Sequence, residues 1–137
     1  MATEKKRIVS ARTRQITIDS EDRPGTLARL AKIIGRAKAN IVAFSCAPAG
    51  VLGAIHLVVD DWDRATNALN REGVAYTEQE VLQVEMPNLP GSLGEFAEKL
   101  AKQGINITTA YGSAPKGTKK ATVVFKVSDL EKAAGIR

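Results

Sequence analysis

Residues 22–41 read DRPGTLARLAKIIGRAKANI, and residues 88–107 read NLPGSLGEFAEKLAKQGINI. The two stretches align without a gap at a spacing of 66 residues, with Pro-Gly, Leu and Asn-Ile at matching places. In a chain of 137 residues, such a repeat means that one supersecondary unit is written twice. The fold is therefore read from one copy and checked on the other.

Just upstream of the first stretch, RQITIDS alternates, with Ile16 and Ile18 on one side and Gln15, Thr17 and Asp19 on the other. That is the period of a half-buried strand. EDRPG interrupts it, and Pro24 suits the first helical position, where a missing N–H costs nothing. Leu27, Leu30, Ala31, Ile34 and Ala37 then recur at helical spacing, while Arg29, Lys32 and Arg36 face water. The pattern predicts a helix ending near Asn40, a residue type that tolerates left-handed backbone. IVAFSCA and GAIHLVV are apolar, β-branched runs separated by PAGVL, the punctuation of a hairpin. DDWDRATNALNREG predicts a second helix, capped by Asp60 or Asp61, striped by Trp62, Ala65 and Leu69, and stopped at Gly73. VAYTEQE then returns as a strand.

The order β-α-β-β-α-β is the split unit of the ferredoxin-like fold, and right-handed crossovers place both helices on one face of an antiparallel sheet. The second copy replays it with VLQVEM, PGSLGEFAEKLAKQG, INITTAYGSA, KATVVFKV and DLEKAAGIR. Phe44 and APAG align with Tyr111 and APKG at an offset of 67, and Asp61 and Ala65 with Asp129 and Ala133 at 68. That places one gained residue on each side of the hairpin turn. The fold class is α+β, two ferredoxin-like βαββαβ units in tandem, antiparallel sheets with helices on one face, the second unit truncated at its C-terminus. Residues 1–13 form a basic, flexible leader, residues 14–80 the first unit and residues 81–137 the second, which lacks a full last strand. Val81, Gln83 and Glu85 then fall on an uncovered edge, a liability that proteins manage. RIVS near the amino terminus, another protomer, or nothing can fill it. VAYTEQEVLQVEM contains no loop residue, so one strand running from the first unit into the second would join them rigidly.

Apolar residues make up 44% of the chain and aromatics only 4%, so the core is aliphatic. No run approaches the roughly 18 apolar residues of a membrane span, and the chain reads as soluble and cytoplasmic. The single cysteine, Cys46, excludes an internal disulfide and is expected as a small buried hydrophobe. Of the net charge of +5, residues 1–14 carry +4, five cations (Lys5, Lys6, Arg7, Arg12 and Arg14) minus Glu4. The basicity thus belongs to a tail rather than to a folded nucleic-acid-binding face.

The chemistry lies in the two β-to-α turns, Asp22-Arg23-Pro24-Gly25 and Asn88-Leu89-Pro90-Gly91. A helix amino terminus presents unpaired N–H groups and partial positive charge, suited to a carboxylate. Glycine removes a Cβ that would hold a ligand away from the backbone. Asp22, or the amide oxygen of Asn88, accepts bonds from an ammonium. Together these describe a site for a free α-amino acid, although Asp or Asn before Pro-Gly is also an ordinary helix-start turn. His56, the only histidine, lies mid-strand and reads as a core or sheet-surface residue. No Ser-His-Asp set, clustered metal ligands or phosphate-cradling glycine loop accompanies it. The expectation is a non-enzyme with no cofactor and no metal.

The doubled pattern DRPGTL with ANI, and NLPGSL with GINI, resembles the ACT domain, a ferredoxin-like module. The chain from about Arg14 onward resembles free-standing proteins made of two such domains. The resemblance implies amino-acid binding in a regulator of metabolism, at sites where two modules meet. Asp22, Gly25, Asn88 and Gly91 are the implied contacts, with Arg23, Pro24, Thr26, Leu89, Pro90 and Ser92 in the same turns. Backbone around Leu27, Asn40, Ile41, Leu93, Asn106 and Ile107 is implied to line the pocket. Some members carry a histidine two residues before the Asp or Asn, where this chain has Ser20 and Met86, so ligand identity does not transfer. Because Asp22 is charged and Asn88 is not, the first site is expected to bind more tightly. The expected partners are a free amino acid, a second copy in a homodimer and a target metabolic enzyme, with no membrane.

Two other classes compete. A ligand-independent interaction protein would pair with an enzyme or protomer through its open sheet edge. An RNA-binding sheet would stack bases on exposed aromatics, and Phe44, Tyr111 and Phe125 are too few and scattered for that.

Overall fold

The computed structural model describes residues 8–21, 23–50 and 52–137. Its elements run β1 (Val9–Ser20), α1 (Thr26–Arg36), β2 (Ile41–Ala49), β3 (Leu52–Val59), α2 (Trp62–Arg71), β4 (Thr77–Pro87), α3 (Ser92–Lys102), β5 (Ile107–Ser113), β6 (Lys120–Val127) and α4 (Leu130–Ala134). The chain divides into Arg14–Gln79 and a second unit that groups the described residues 8–13 with Glu80–Arg137.

In the first unit the strand order is β2-β3-β1-β4, with β4 contributing residues 77–79. β1 pairs antiparallel with β3, Ile16 opposite Leu57 and Ile18 opposite Ile55. Paired residues share a face, and these four are buried with Leu30, Ile33 and Ile34 of α1 and Ala65 and Leu69 of α2. Both helices therefore cover one face, as the apolar spacing requires. Each fully buried Ile or Leu contributes about 1.5–3 kcal/mol from area removed from water.

The second unit repeats this with β4, β6 and β5 in that order and β1 residues 9–13 flanking β4. Leu82 faces Phe125, Val84 faces Val123 and Met86 faces Ala121. These pack under Phe96 and Leu100 of α3, with the Phe96 and Phe125 rings 5.3 Å apart between centroids. The edge expected to be open at Val81, Gln83 and Glu85 is occupied: of the three fillers, the amino-terminal segment is the one present. Ile8 packs against this second core, Val81 is fully buried, and Arg12 reaches Glu80 at 3.7 Å. Of the leader expected over residues 1–13, residues 1–7 lie outside the described residues and residues 9–13 run in β1.

Several local expectations change. Pro24 precedes the helix, because Gly25 in left-handed backbone is the N-cap and α1 starts at Thr26. α1 ends at Arg36 rather than near Asn40. Its left-handed residue is Lys38 (φ 66), whose N–H donates to Gly35 O while that of Ala39 donates to Ile34 O. α2 and α3 end in the same two-bond motif with Gly73 and Gly104 at that place. β4 starts at Thr77, not Val74.

The repeat register also changes. Ile41 pairs with Val59 and Ile107 with Val127; a bulge follows each; then Phe44 pairs with Leu57 and Ala110 with Phe125. The offset therefore stays at 66 through β2 and β5, and both extra residues fall in the β5–β6 loop. Phe44 corresponds to Ala110, and Tyr111 to Ser45. APAG and APKG matched because both are turn sequences, not because they occupy equivalent positions. Cys46 is exposed rather than buried, because β2 is the edge strand of its sheet.

Lys38→Gly is expected to raise stability by up to about 1 kcal/mol, and Gly104→Lys to lower it by about 1 kcal/mol, in urea unfolding. Deleting residues 1–13 uncovers the edge of β4, so a lower urea midpoint and concentration-dependent light scattering are expected.

Candidate functional site

At the first turn, Asp22 lies outside the described residues. Around it, the Thr26 hydroxyl Oγ1 lies 3.2 Å from the carbonyls of both Glu21 and Arg23 and donates back into the turn. The Arg23 N–H donates to Glu21 O at 3.0 Å. The Arg23 guanidinium lies 3.2 Å from the Glu21 carboxylate, with both side chains about 70% exposed (72% and 70%). Such a pair contributes little stability and leaves both charges available.

At the second turn, Asn88 is tied to the β5–β6 loop. Its N–H donates to Lys119 O, and its amide Nδ2 donates to Pro115 O at 2.9 Å and Thr118 O at 3.0 Å. Those bonds fix the amide plane and leave Oδ1 as the acceptor. Gly25 (φ 93) and Gly91 (φ 91) start α1 and α3, and among the described residues neither helix has a side-chain cap. By contrast, Asp61 caps α2 through Arg64 N–H and Asp129 caps α4 through Lys132 N–H. The chain thus caps the two helices away from these turns with Asp; at α3 the Ser92 N–H turns back to Leu89 O at 3.2 Å, and no described side chain accepts from the N–H groups that follow at either turn. A Cβ at Gly25 or Gly91 would touch nothing within 4 Å. Glycine is needed there for left-handed backbone, not for clearance.

Each turn opens onto a cavity between its helix start and the neighbouring hairpin. The first has a volume of about 220 Å³ and the second about 330 Å³. Ten of the twelve positions lining the first recur in the second, at an offset of 66 through the turn and first hairpin strand and 68 beyond it. They are one cavity made twice. Each is lined by residues of a single unit.

The structure brings Arg23, Gly25, Thr26 and Leu27 to the first cavity, and Asn88, Leu89, Ser92 and Leu93 to the second. Pro24, Pro90 and Gly91 shape the turns without lining them. Asn40, Ile41, Asn106 and Ile107 lie at the far end of the hairpins. There the Asn40 N–H donates to Asp60 Oδ1 at 2.7 Å and the Asn106 N–H donates to Ser128 Oγ at 2.9 Å. The hairpin wall escaped sequence reading: Cys46, Ala47, Pro48, Gly53 and Ile55 in one cavity, and Gly112, Ser113, Ala114, Ala121 and Val123 in the other. Its signal was the run of small residues in each hairpin. At Gly112 a Cβ would come within 2.5 Å of Thr122 O.

His56 sits at the centre of β3. Its Nδ1 lies 3.0 Å from Gln15 Nε2 and 3.2 Å from Thr17 Oγ1, on the face turned away from the helices. Tyr111 also adjoins the second cavity, and burial pushes its phenol above the ordinary range. Among the described residues, no group of three or more His, Cys, Asp or Glu is placed to hold a metal, and no helix is long and apolar enough to cross a membrane.

A βαββαβ module and a βαββα repeat of it completed by β1, each with a cavity at its first β-to-α turn, define the class of this molecule as a ferredoxin-like pair. The chain belongs to the ACT domain pair family, which it matches over residues 11–136. It is similar to protein BT0572 from Bacteroides thetaiotaomicron, with a TM-score of 0.82 at 26% identity, covering 90% of this chain and 85% of that one. It shares its fold with the regulatory subunit of aspartate kinase from Thermus thermophilus, in a ligand-free form (TM-score 0.70, 16% identity, 93% and 91% covered). The regulatory subunit of aspartate kinase from Thermus flavus shares it too (TM-score 0.66, 16% identity, 93% and 91% covered). No curated protein matches the chain.

Gly91→Ala is expected to cost about 1–2 kcal/mol through backbone strain alone, so Gly91→Asn should cost less. Gly112→Ala is expected to cost more than Gly91→Ala, because it meets backbone; urea unfolding ranks the three. Above pH about 10 the unfolded chain releases the tyrosine proton that the fold retains at Tyr111. Stability should therefore fall as pH rises past that value, and Tyr111→Phe should remove part of the fall.

Proposed function

We propose that this ACT domain pair is a non-catalytic regulatory protein that binds a free amino acid at the β-to-α turns. One observation carries the reading: the same cavity is built twice, each time at a helix start left without a side-chain cap. The α-carboxylate would take the N–H groups of the first helical turn. The ammonium would take the Asp22 carboxylate in one unit and Asn88 Oδ1 in the other. The fold shared with regulatory subunits of aspartate kinase agrees with a regulatory role. Regulation requires that the ligand bind two states of the protein with different affinity.

A thermal-shift screen of the full chain against the twenty amino acids tests this. At a hundred times Kd a ligand adds about 2.7 kcal/mol, a rise of several degrees for a chain of this size. At least one amino acid is expected to produce it. A flat profile in a folded sample favours a second reading, ligand-independent pairing with an enzyme or in a homodimer. Its surface would be the β2 edge, where Val42 is 45% and Phe44 55% exposed.

A further inference from the structure

The twin cavities share their anchoring end and differ elsewhere. Thr26 and Ser92 put a hydroxyl at the same helix start, and Leu27 and Leu93 follow it. Where the first cavity has Glu21 and Arg23, the second has Pro87 and Leu89; where the first has Ser20, the second has Met86. No Asp, Glu, Lys or Arg lines the second cavity. Where Cys46 projects a side chain, Gly112 has none, and the second cavity is the larger, about 330 Å³ against about 220 Å³. Only the second reaches the lower bound of small-molecule sites, roughly 300 Å³.

Resting on the amino-acid reading above, we infer that the cavity at α3 selects an amino acid with an aliphatic side chain, a preference that the cavity at α1 does not share. The anchors at the helix start treat all amino acids alike, so discrimination falls to the rest of the wall. An aliphatic side chain against Met86, Leu89 and Val123 leaves water for apolar surface. A charged one would lose hydration there with no counter-charge on the lining to replace it. In the first cavity the exposed Glu21–Arg23 pair, 3.2 Å apart, offers both signs of charge and keeps the mouth hydrated, which removes the advantage of an apolar ligand.

Leu89 and Arg23 occupy the same place in the two turns, and both are exposed, so exchanging them tests the inference without disturbing a core. Isothermal titration of the full chain uses L-leucine, L-isoleucine and L-methionine against L-aspartate and L-lysine, on the unaltered protein, Leu89→Arg and Arg23→Leu. The aliphatic amino acids are expected to bind the unaltered protein at least tenfold more tightly than the charged ones. Leu89→Arg should weaken them tenfold or more, and Arg23→Leu, which breaks the charge pair of the first cavity, should strengthen their binding at that cavity and not weaken it at the second. Aliphatic binding that is indifferent to Leu89→Arg, or charged amino acids that bind as tightly and lose affinity in Leu89→Arg, overturns the inference while the amino-acid reading stands. Failure of every amino acid to bind the unaltered, folded protein overturns the amino-acid reading, and this inference with it.

Discussion

A four-stranded ferredoxin-like sheet has to cover the free edge of its first strand, and in the second unit that strand, β4, lies beside β1. The chain meets that constraint from its other end. Residues 8–13 join the second unit, β1 flanks β4, and Ile8 reaches the core beneath α3 and α4. Val81, outside the helix-facing cluster, is fully buried too. β6 pairs with β4 on its other side and β5 with β6, so the cavity at the β5–β6 hairpin is built on the sheet that this segment completes. Of the basic residues near the amino terminus, Arg12 lies 3.7 Å from Glu80 in the second unit, and Arg14 lies against Glu78 and Trp62 in the first.

Given that scaffold, the helix starts differ by place. Asp61 and Asp129 cap the helices that follow the hairpins, whereas Gly25 and Gly91 begin α1 and α3 without a side-chain acceptor. Each Asp cap takes one N–H of its first helical turn, whereas at α3 the Ser92 N–H turns back to Leu89 O and no described side chain accepts from the N–H groups that follow. Left-handed glycine turns the backbone sharply enough to bring the turn beside the hairpin tip, and in the second unit Asn88 fastens it to Pro115 and Thr118. The same geometry holds two different surfaces, charged at Glu21 and Arg23, apolar at Pro87 and Leu89. The copies have kept their backbone and parted in chemistry.

Periodicity carried most of the fold. Ile16 and Ile18, Leu27, Leu30 and Ile34, and Ala65 with Leu69 lie where their spacing places them, while Ile33 rather than Ala31 joins the buried cluster. The site was legible only on its helix side, because the turn residues are contiguous in sequence and chemically distinctive. The hairpin wall was not, since Cys46, Ala47, Gly112 and Ser113 are small residues whose meaning comes from what stands opposite.

By itself the sequence determined the repeat, the order of elements, the helix-facing side of each strand and the turns where the chemistry sits. These follow from local spacing and from the dihedral limits of Pro, Gly and Asp. Tertiary structure alone decided that residues 8–13 close the second sheet and that β2 and β5 keep the same register through a shared bulge. It also decided that Lys38 takes the left-handed place filled elsewhere by Gly73 and Gly104, and that Cys46 stands exposed on an edge. The strand closure, the shared bulge and the exposure of Cys46 depend on which strand lies beside which. That is set by burial of the whole apolar surface and by pairing of every backbone donor, and no single stretch of sequence carries it.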